Sequence, residues 1–63
     1  MQNSLTTLRK ERGMTQADLG TLAGVSRQTI VSIEKGHFDP SLPLAFRLAE
    51  IFECRIEDIF TPD

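Results

Sequence analysis

The sequence predicts an all-α domain of five short helices, the second and third joined as a helix-turn-helix. Three observations carry this. Apolar residues recur at three- and four-residue intervals almost throughout, no strand-like alternation is sustained, and glycine or proline closes most of the helical stretches. The 63 residues allow one domain, spanning 1–63.

The first helix is expected from about Ser4 to Arg12. Asn3 or Ser4 caps it, Leu5 and Leu8 share a face, and Arg9, Lys10 and Arg12 crowd the C-terminal end, where cations complement the helix dipole. Gly13 is a suitable left-handed stop. The second runs from about Gln16 to Leu22, with Thr15 as cap, Asp18 in its first turn, and Leu19, Leu22 and Ala23 directed to the core. The third runs from about Arg27 to Lys35, capped by Ser26, with Ile30 and Ile33 spaced for burial and Gly36 as its stop. Phe38-Asp39-Pro40 reads as a loop. The fourth follows Ser41, accepts Pro43 in its first turn, and carries Leu42, Ala45, Leu48, Ala49 and Phe52 as one stripe. A last helix spans about Ile56 to Phe60. Arg55 stands where a capping side chain is wanted, so this helix is expected to fray.

A chain this short buries roughly 60% of the surface its unfolded form exposes. Such domains lean on disulfides, a metal or a partner subunit. The single Cys54 forms no internal disulfide and is read as a small buried apolar residue, with a redox switch as the less favoured alternative. One cysteine and one histidine make no zinc-ligand set, so no metal or cofactor is expected. Helix packing and oligomerisation remain as sources of stability. Met1-Gln2-Asn3-Ser4 does not open a signal peptide, and no apolar run approaches the ~20 residues of a membrane span. A cytoplasmic protein is expected, with no membrane partner and no attached ligand-sensing domain.

Net charge is −2, unfavourable for a DNA binder taken whole. The distribution is more informative. Residues 1–37 carry Arg9, Lys10, Arg12, Arg27 and Lys35 against Glu11, Asp18 and Glu34, a balance of +2. Residues 38–63 carry Arg47 and Arg55 against Asp39, Glu50, Glu53, Glu57, Asp58 and Asp63, a balance of −4. Phosphate would therefore be met by the N-terminal half.

The stretch Thr15–Glu34, TQADLGTLAGVSRQTIVSIE, is where the chemistry lies. Gly20 is small enough for the third helix to cross close over the second. Gly24 permits the positive φ of a tight turn at Ala23-Gly24-Val25. Val25, Ile30 and Ile33 wedge the two helices together, so that the N-terminal end of the third can project into a major groove about 12 Å wide. Arg27, Gln28, Val31 and Ser32 then face outward. Arg27 suits guanine O6 and N7, and Gln28 suits adenine N6 and N7, both bidentately, with Ser32 assisting. Thr15 and Gln16 stand at a helix N-terminus that favours phosphate. Ser26, Thr29, Lys35 and His37 are further candidates for backbone contact.

These residues resemble the Cro/CI-type, or Xre-like, helix-turn-helix regulators of phage and bacteria. The resemblance rests on Thr15-Gln16, Leu19, Gly24-Val25-Ser26, Gln28, Ile30, Ile33-Glu34, Gly36, Pro40-Ser41-Leu42 with Leu44-Ala45, and the closing Ile56-Glu57-Asp58-Ile59-Phe60. It implies a five-helix, lambda-repressor-like DNA-binding domain that acts as a homodimer on a palindromic operator of double-stranded DNA and regulates transcription, as a repressor. It also implies a structural ion pair between Arg9 and Glu34. The chain departs from the family at Gly20, where alanine is usual, at Arg55, and in a Gly36–Pro40 loop with few basic residues.

Leu44, Phe46 and Ile51 fall off the main stripe, and Ile59 and Phe60 lie near the terminus. They are expected to form the dimer seam, with a satellite core as the alternative. The competing functional reading is an antitoxin-like or repressor-partner module whose acidic C-terminal half binds protein. Catalysis is not expected, because no Ser/His/Asp arrangement is suggested.

Overall fold

Short polar side chains start the helices where the sequence places them. The computed structural model describes residues 1–63, and its order is β1 (Gln2–Asn3), α1 (Leu5–Glu11), α2 (Gln16–Ala23), α3 (Arg27–Glu34), α4 (Leu42–Ile51), α5 (Ile56–Ile59) and β2 (Phe60–Thr61). At α2, Thr15 and Asp18 cap each other. The Asp18 amide donates to Thr15 Oγ1 at 2.9 Å and the Thr15 amide donates to Asp18 Oδ2 at 3.0 Å. Asp18 titrates below its usual range because of these bonds to Thr15. Ser26 Oγ accepts from the Thr29 amide to start α3, and Ser41 Oγ from the Leu44 amide to start α4. Each cap satisfies one of the amides a helix start leaves open.

At α1 the two candidate caps divide the work. Asn3 Oδ1 accepts from the Leu5 amide at 3.1 Å, whereas Ser4 Oγ donates to the Asp58 carbonyl at 3.1 Å and ties α1 to α5. The last helix also finds a start. Arg55 offers no capping oxygen, but its own amide donates to Asp58 Oδ2 at 3.0 Å, half of a capping box. The start of α5 is thus held from Asp58 rather than by the Arg55 side chain.

No strand is expected from the residue pattern, yet the chain ends pair. Gln2 lies opposite Thr61 and Asn3 opposite Phe60 in an antiparallel ladder. Two residues are too few for a period to show, and the pairing joins positions from opposite ends of the chain. The ladder also ends α5 at Ile59, one residue short of expectation.

The core lies between α1, α2, α3 and α4 and is floored by α5. Leu5, Leu19, Ile30, Ile33, Leu48 and Ile59 are fully enclosed, each contributing about 1.5–3 kcal/mol by leaving water. Ala23, Leu44, Ala45, Ala49, Phe52 and Phe60 complete it. Two expected core residues lie outside. Leu22 is exposed, since α2 turns Leu19, Gly20 and Ala23 inward. Leu42 is 65% exposed, because the buried face of α4 centres on Leu44, Ala45, Leu48, Ala49 and Phe52. No helix is long and apolar enough to cross a membrane.

α2 and α3 meet through two glycines. Gly24 ends α2 at φ 74°, a left-handed position where L side chains are strained. At Gly20 the constraint is space. The Val25 amide donates to the Gly20 carbonyl at 2.9 Å, and a Cβ on Gly20 would stand 2.8 Å from the Val25 carbonyl oxygen. The turn backbone rests directly on α2. Gly20→Val should therefore destabilise the domain by about 1–3 kcal/mol, read as a lower urea midpoint with the slope unchanged.

Candidate nucleic-acid interface

The outer surface of α3 is positioned by a buried ion pair. Arg9 on α1 donates from Nε to Glu34 Oε2 at 2.8 Å and from Nη2 to Glu34 Oε1 at 3.2 Å. Its Nη1 donates to the Met14 carbonyl at 2.8 Å. Gln16 Nε2 adds a bond to Glu34 Oε1 at 3.1 Å. The Arg9 and Glu34 side chains are only 10% and 6% exposed. Burial pushes the Glu34 carboxyl up, but bonds from Arg9, Gln16 and Thr6 and the Arg9 charge outweigh it and hold Glu34 below its usual range. One carboxylate thus joins α1, the start of α2 and the end of α3.

Two carbonyls are held in the same way. Asn3 Nδ2 donates to the Ile33 carbonyl at 2.8 Å, gripping the last turn of α3. Arg47 Nη1 on α4 donates to the Ala23 carbonyl at 2.7 Å, at the mouth of the turn. Nothing in the sequence marked Asn3 or Arg47 for these roles. Their partners are main-chain oxygens, which carry no residue-type signal.

On this frame the outer face of α3 presents Arg27 and Gln28 exposed and Val31 and Ser32 half-buried. Lys35 caps α3 and is exposed, as is His37, whose amide donates to the Ser32 carbonyl at 3.0 Å. Ser26 and Thr29 share a hydroxyl–hydroxyl bond of 3.0 Å beside Gln28. Thr15 is exposed at the start of α2, with its oxygen accepting from Asp18 and its hydroxyl proton still available. Gln16, expected to be free, has its side-chain nitrogen committed to Glu34, so its main-chain amide and side-chain oxygen remain. Lys10 is exposed on α1. Arg12 is turned to structure: it donates to the Ile51 and Phe52 carbonyls, both at 3.2 Å, and lies 5.6 Å from the centre of the Phe52 ring. A shallow depression beside α3 is lined by Ser26, Gln28, Thr29, Ser32, His37 and Phe38.

The expected seam is redrawn by burial. Leu44, Ile59 and Phe60 are covered by the chain itself, and Ile51 is half-buried. A single chain encloses them because α5 folds back beneath α4, so they are not free for a second copy. Phe46, at 54% exposed, does stand outside. It lines an apolar groove with Ala49, Cys54 and Ile56, edged by Glu50, Glu53, Glu57 and Arg55. Ile56 also borders a second apolar groove with Pro40, Leu42, Ala45 and Phe60. Burial, and then the Asp58 carboxylate, push the Cys54 thiol up against the opposing Arg12 charge. That suppresses the thiolate a redox switch would use.

A rigid helix pair with a tight left-handed turn, presenting polar side chains from its second helix, is a helix-turn-helix DNA-binding domain. The chain belongs to the HTH_3 helix-turn-helix family, whose model matches residues 5–59. An uncharacterised HTH-type transcriptional regulator of Methanocaldococcus jannaschii is 55% identical over 60 residues, covering 95% of this chain and 91% of the relative. The HTH-type regulator YgzD of Bacillus subtilis is 43% identical over 60 residues, covering 95% and 91%. Among solved structures, the restriction-modification controller protein C.AhdI of Aeromonas hydrophila superposes with a TM-score of 0.80 at 28% identity, covering 89% of this chain and 85% of that one. The protein is a transcriptional regulator with a helix-turn-helix DNA-binding domain.

The ion pair has testable energetics. Glu34→Ala, which strands the Arg9 guanidinium in the core, should cost about 3–5 kcal/mol, whereas the double change Arg9→Met, Glu34→Leu should stay far closer to the parent. Glu34 has a lowered folded pKa, so its contribution is present above its ordinary value of 4.5 and lost as pH falls through the folded value. Urea titrations of both proteins from neutral to acid pH should show that the double variant lacks this part of the acid loss.

Proposed function

We propose that the protein is a sequence-specific repressor that binds a palindromic operator as a homodimer. The observation that carries this reading is the anchoring of α3. Its buried side is held by Ile30, Ile33 and the Glu34 pair, and its free side offers Arg27 and Gln28 to a groove. Arg27 and Gln28 choose bases and Ser32 assists them. Thr15, Ser26, Thr29, Lys35, His37 and the Gln16 main-chain amide set register on phosphates. Repression follows from occupancy, since a bound domain 27 Å long excludes other proteins from its site. The likeness to a restriction-modification controller supports a role in gene control.

The argument for two copies is physical. Eight residues of α3 rise about 12 Å, so one helix meets only a few base pairs. A two-fold pair doubles the site, with the reading helices about 34 Å apart. The grooves at Phe46, Ile56 and Leu42 offer such a pair an apolar surface. In a two-fold contact each Arg55 can meet the acidic edge of the other copy, formed by Glu50, Glu53 and Glu57.

Selection from random duplexes at near-physiological salt tests the reading. The parent should enrich a palindrome with half-sites one helical turn apart. Arg27→Ala should relax one position of each half-site and cost about 1–3 kcal/mol on the preferred sequence. Equal losses on every sequence would reduce Arg27 to a phosphate contact, and no enrichment by the parent would remove the operator from the proposal. Phe46→Glu should keep the fold, because the ring is exposed, and sediment as a monomer. A dimer that survives this change would place the seam elsewhere.

A further inference from the structure

We propose that Phe38 is a specificity residue that packs against a thymine C5-methyl group in the major groove. The inference rests on the reading that α3 enters that groove. Phe38 is the one apolar side chain in the depression it forms with Ser26, Gln28, Thr29, Ser32 and His37. Its ring is 48% exposed, so much of its surface meets nothing in this chain. The ring is not on a loose loop. Gly36, at φ 76°, turns the chain sharply after α3, and the His37 amide donates to the Ser32 carbonyl at 3.0 Å. The ring lines one depression with Ser32 and Gln28, which stand one turn apart on α3.

The chemistry selects the target. From Gly36 to Phe46 there is no Lys or Arg, and Asp39 is the only carboxylate, so apart from His37 this segment offers phosphate little attraction. Among the bases only thymine shows an apolar group in the major groove. A stiff aromatic ring covers that methyl group with little loss of conformational freedom. The neighbouring polar side chains read hydrogen-bonding edges, and Phe38 supplies the apolar element they lack.

The test uses the full chain and the duplex enriched by the parent protein, with each thymine replaced in turn by uracil, which lacks only the methyl group. For the parent, uracil at one symmetry-related pair of positions should weaken binding about fourfold per half-site. For Phe38→Ala the same replacement should have no further effect, and the dependence of affinity on salt should match the parent's, because no phosphate contact is lost. Phe38→Leu, which keeps apolar surface, should retain most of the discrimination. Uracil effects of equal size in the parent and Phe38→Ala would overturn the proposal, as would a salt slope that falls with the ring. Failure of the groove reading itself would show separately, in a parent that enriches no sequence.

Discussion

The Glu34 carboxylate, buried between three helices, sets how α1, α2 and α3 sit against one another. A domain with so little interior has few ways to hold α3 still. Here one buried anion gathers the guanidinium of Arg9 and the amide of Gln16, and Arg9 in turn takes the Met14 carbonyl. The bidentate geometry fixes direction as well as distance. A buried pair of this kind adds little net stability over an apolar replacement. Its value is positional: α1, the N-terminus of α2 and the C-terminus of α3 cannot move apart without leaving charge unpaired in the core.

The opposite end of the helix-turn-helix is held by different means. Gly20 lets the Val25–Ser26 backbone lie on α2, Gly24 reverses the chain, and Arg47 bonds the Ala23 carbonyl from α4. Where the turn is seated on backbone, its position does not depend on side-chain rotamers. α3 is therefore clamped at both ends while its outward side chains stay free to meet a ligand.

The two faces of the molecule are specialised in opposite ways. The face bearing α3 is polar and carries the exposed cations Arg27 and Lys35. The outer side of α4 and α5 is apolar along Leu42, Phe46 and Ile56 and acidic at its edge. An acidic edge near α5 makes that side unattractive to anions. It also accounts for the net charge of −2 although residues 1–37 sum to a positive balance.

Much of this was legible in the residues themselves. Helix periods, caps at Thr15, Ser26 and Ser41, and the stop at Gly24 are local properties, decided within four residues of chain, and they were read correctly from the sequence. The helix-turn-helix follows from them because its parts are adjacent. What only the tertiary structure decided is which apolar residues face inward and which polar atoms are already engaged. Leu22 and Leu42 fit a helical stripe but lie outside it, and Leu44, Ile59 and Phe60 look surplus but are enclosed. Gln16 looks free but is bonded to Glu34. The end-to-end strand pair, the Asn3 and Arg47 bonds to carbonyls, and the place of Phe38 beside Ser32 all join positions whose relation is set by packing. A main-chain oxygen or a distant helix leaves no mark on the residue that meets it, so these features exist only once the chain is folded.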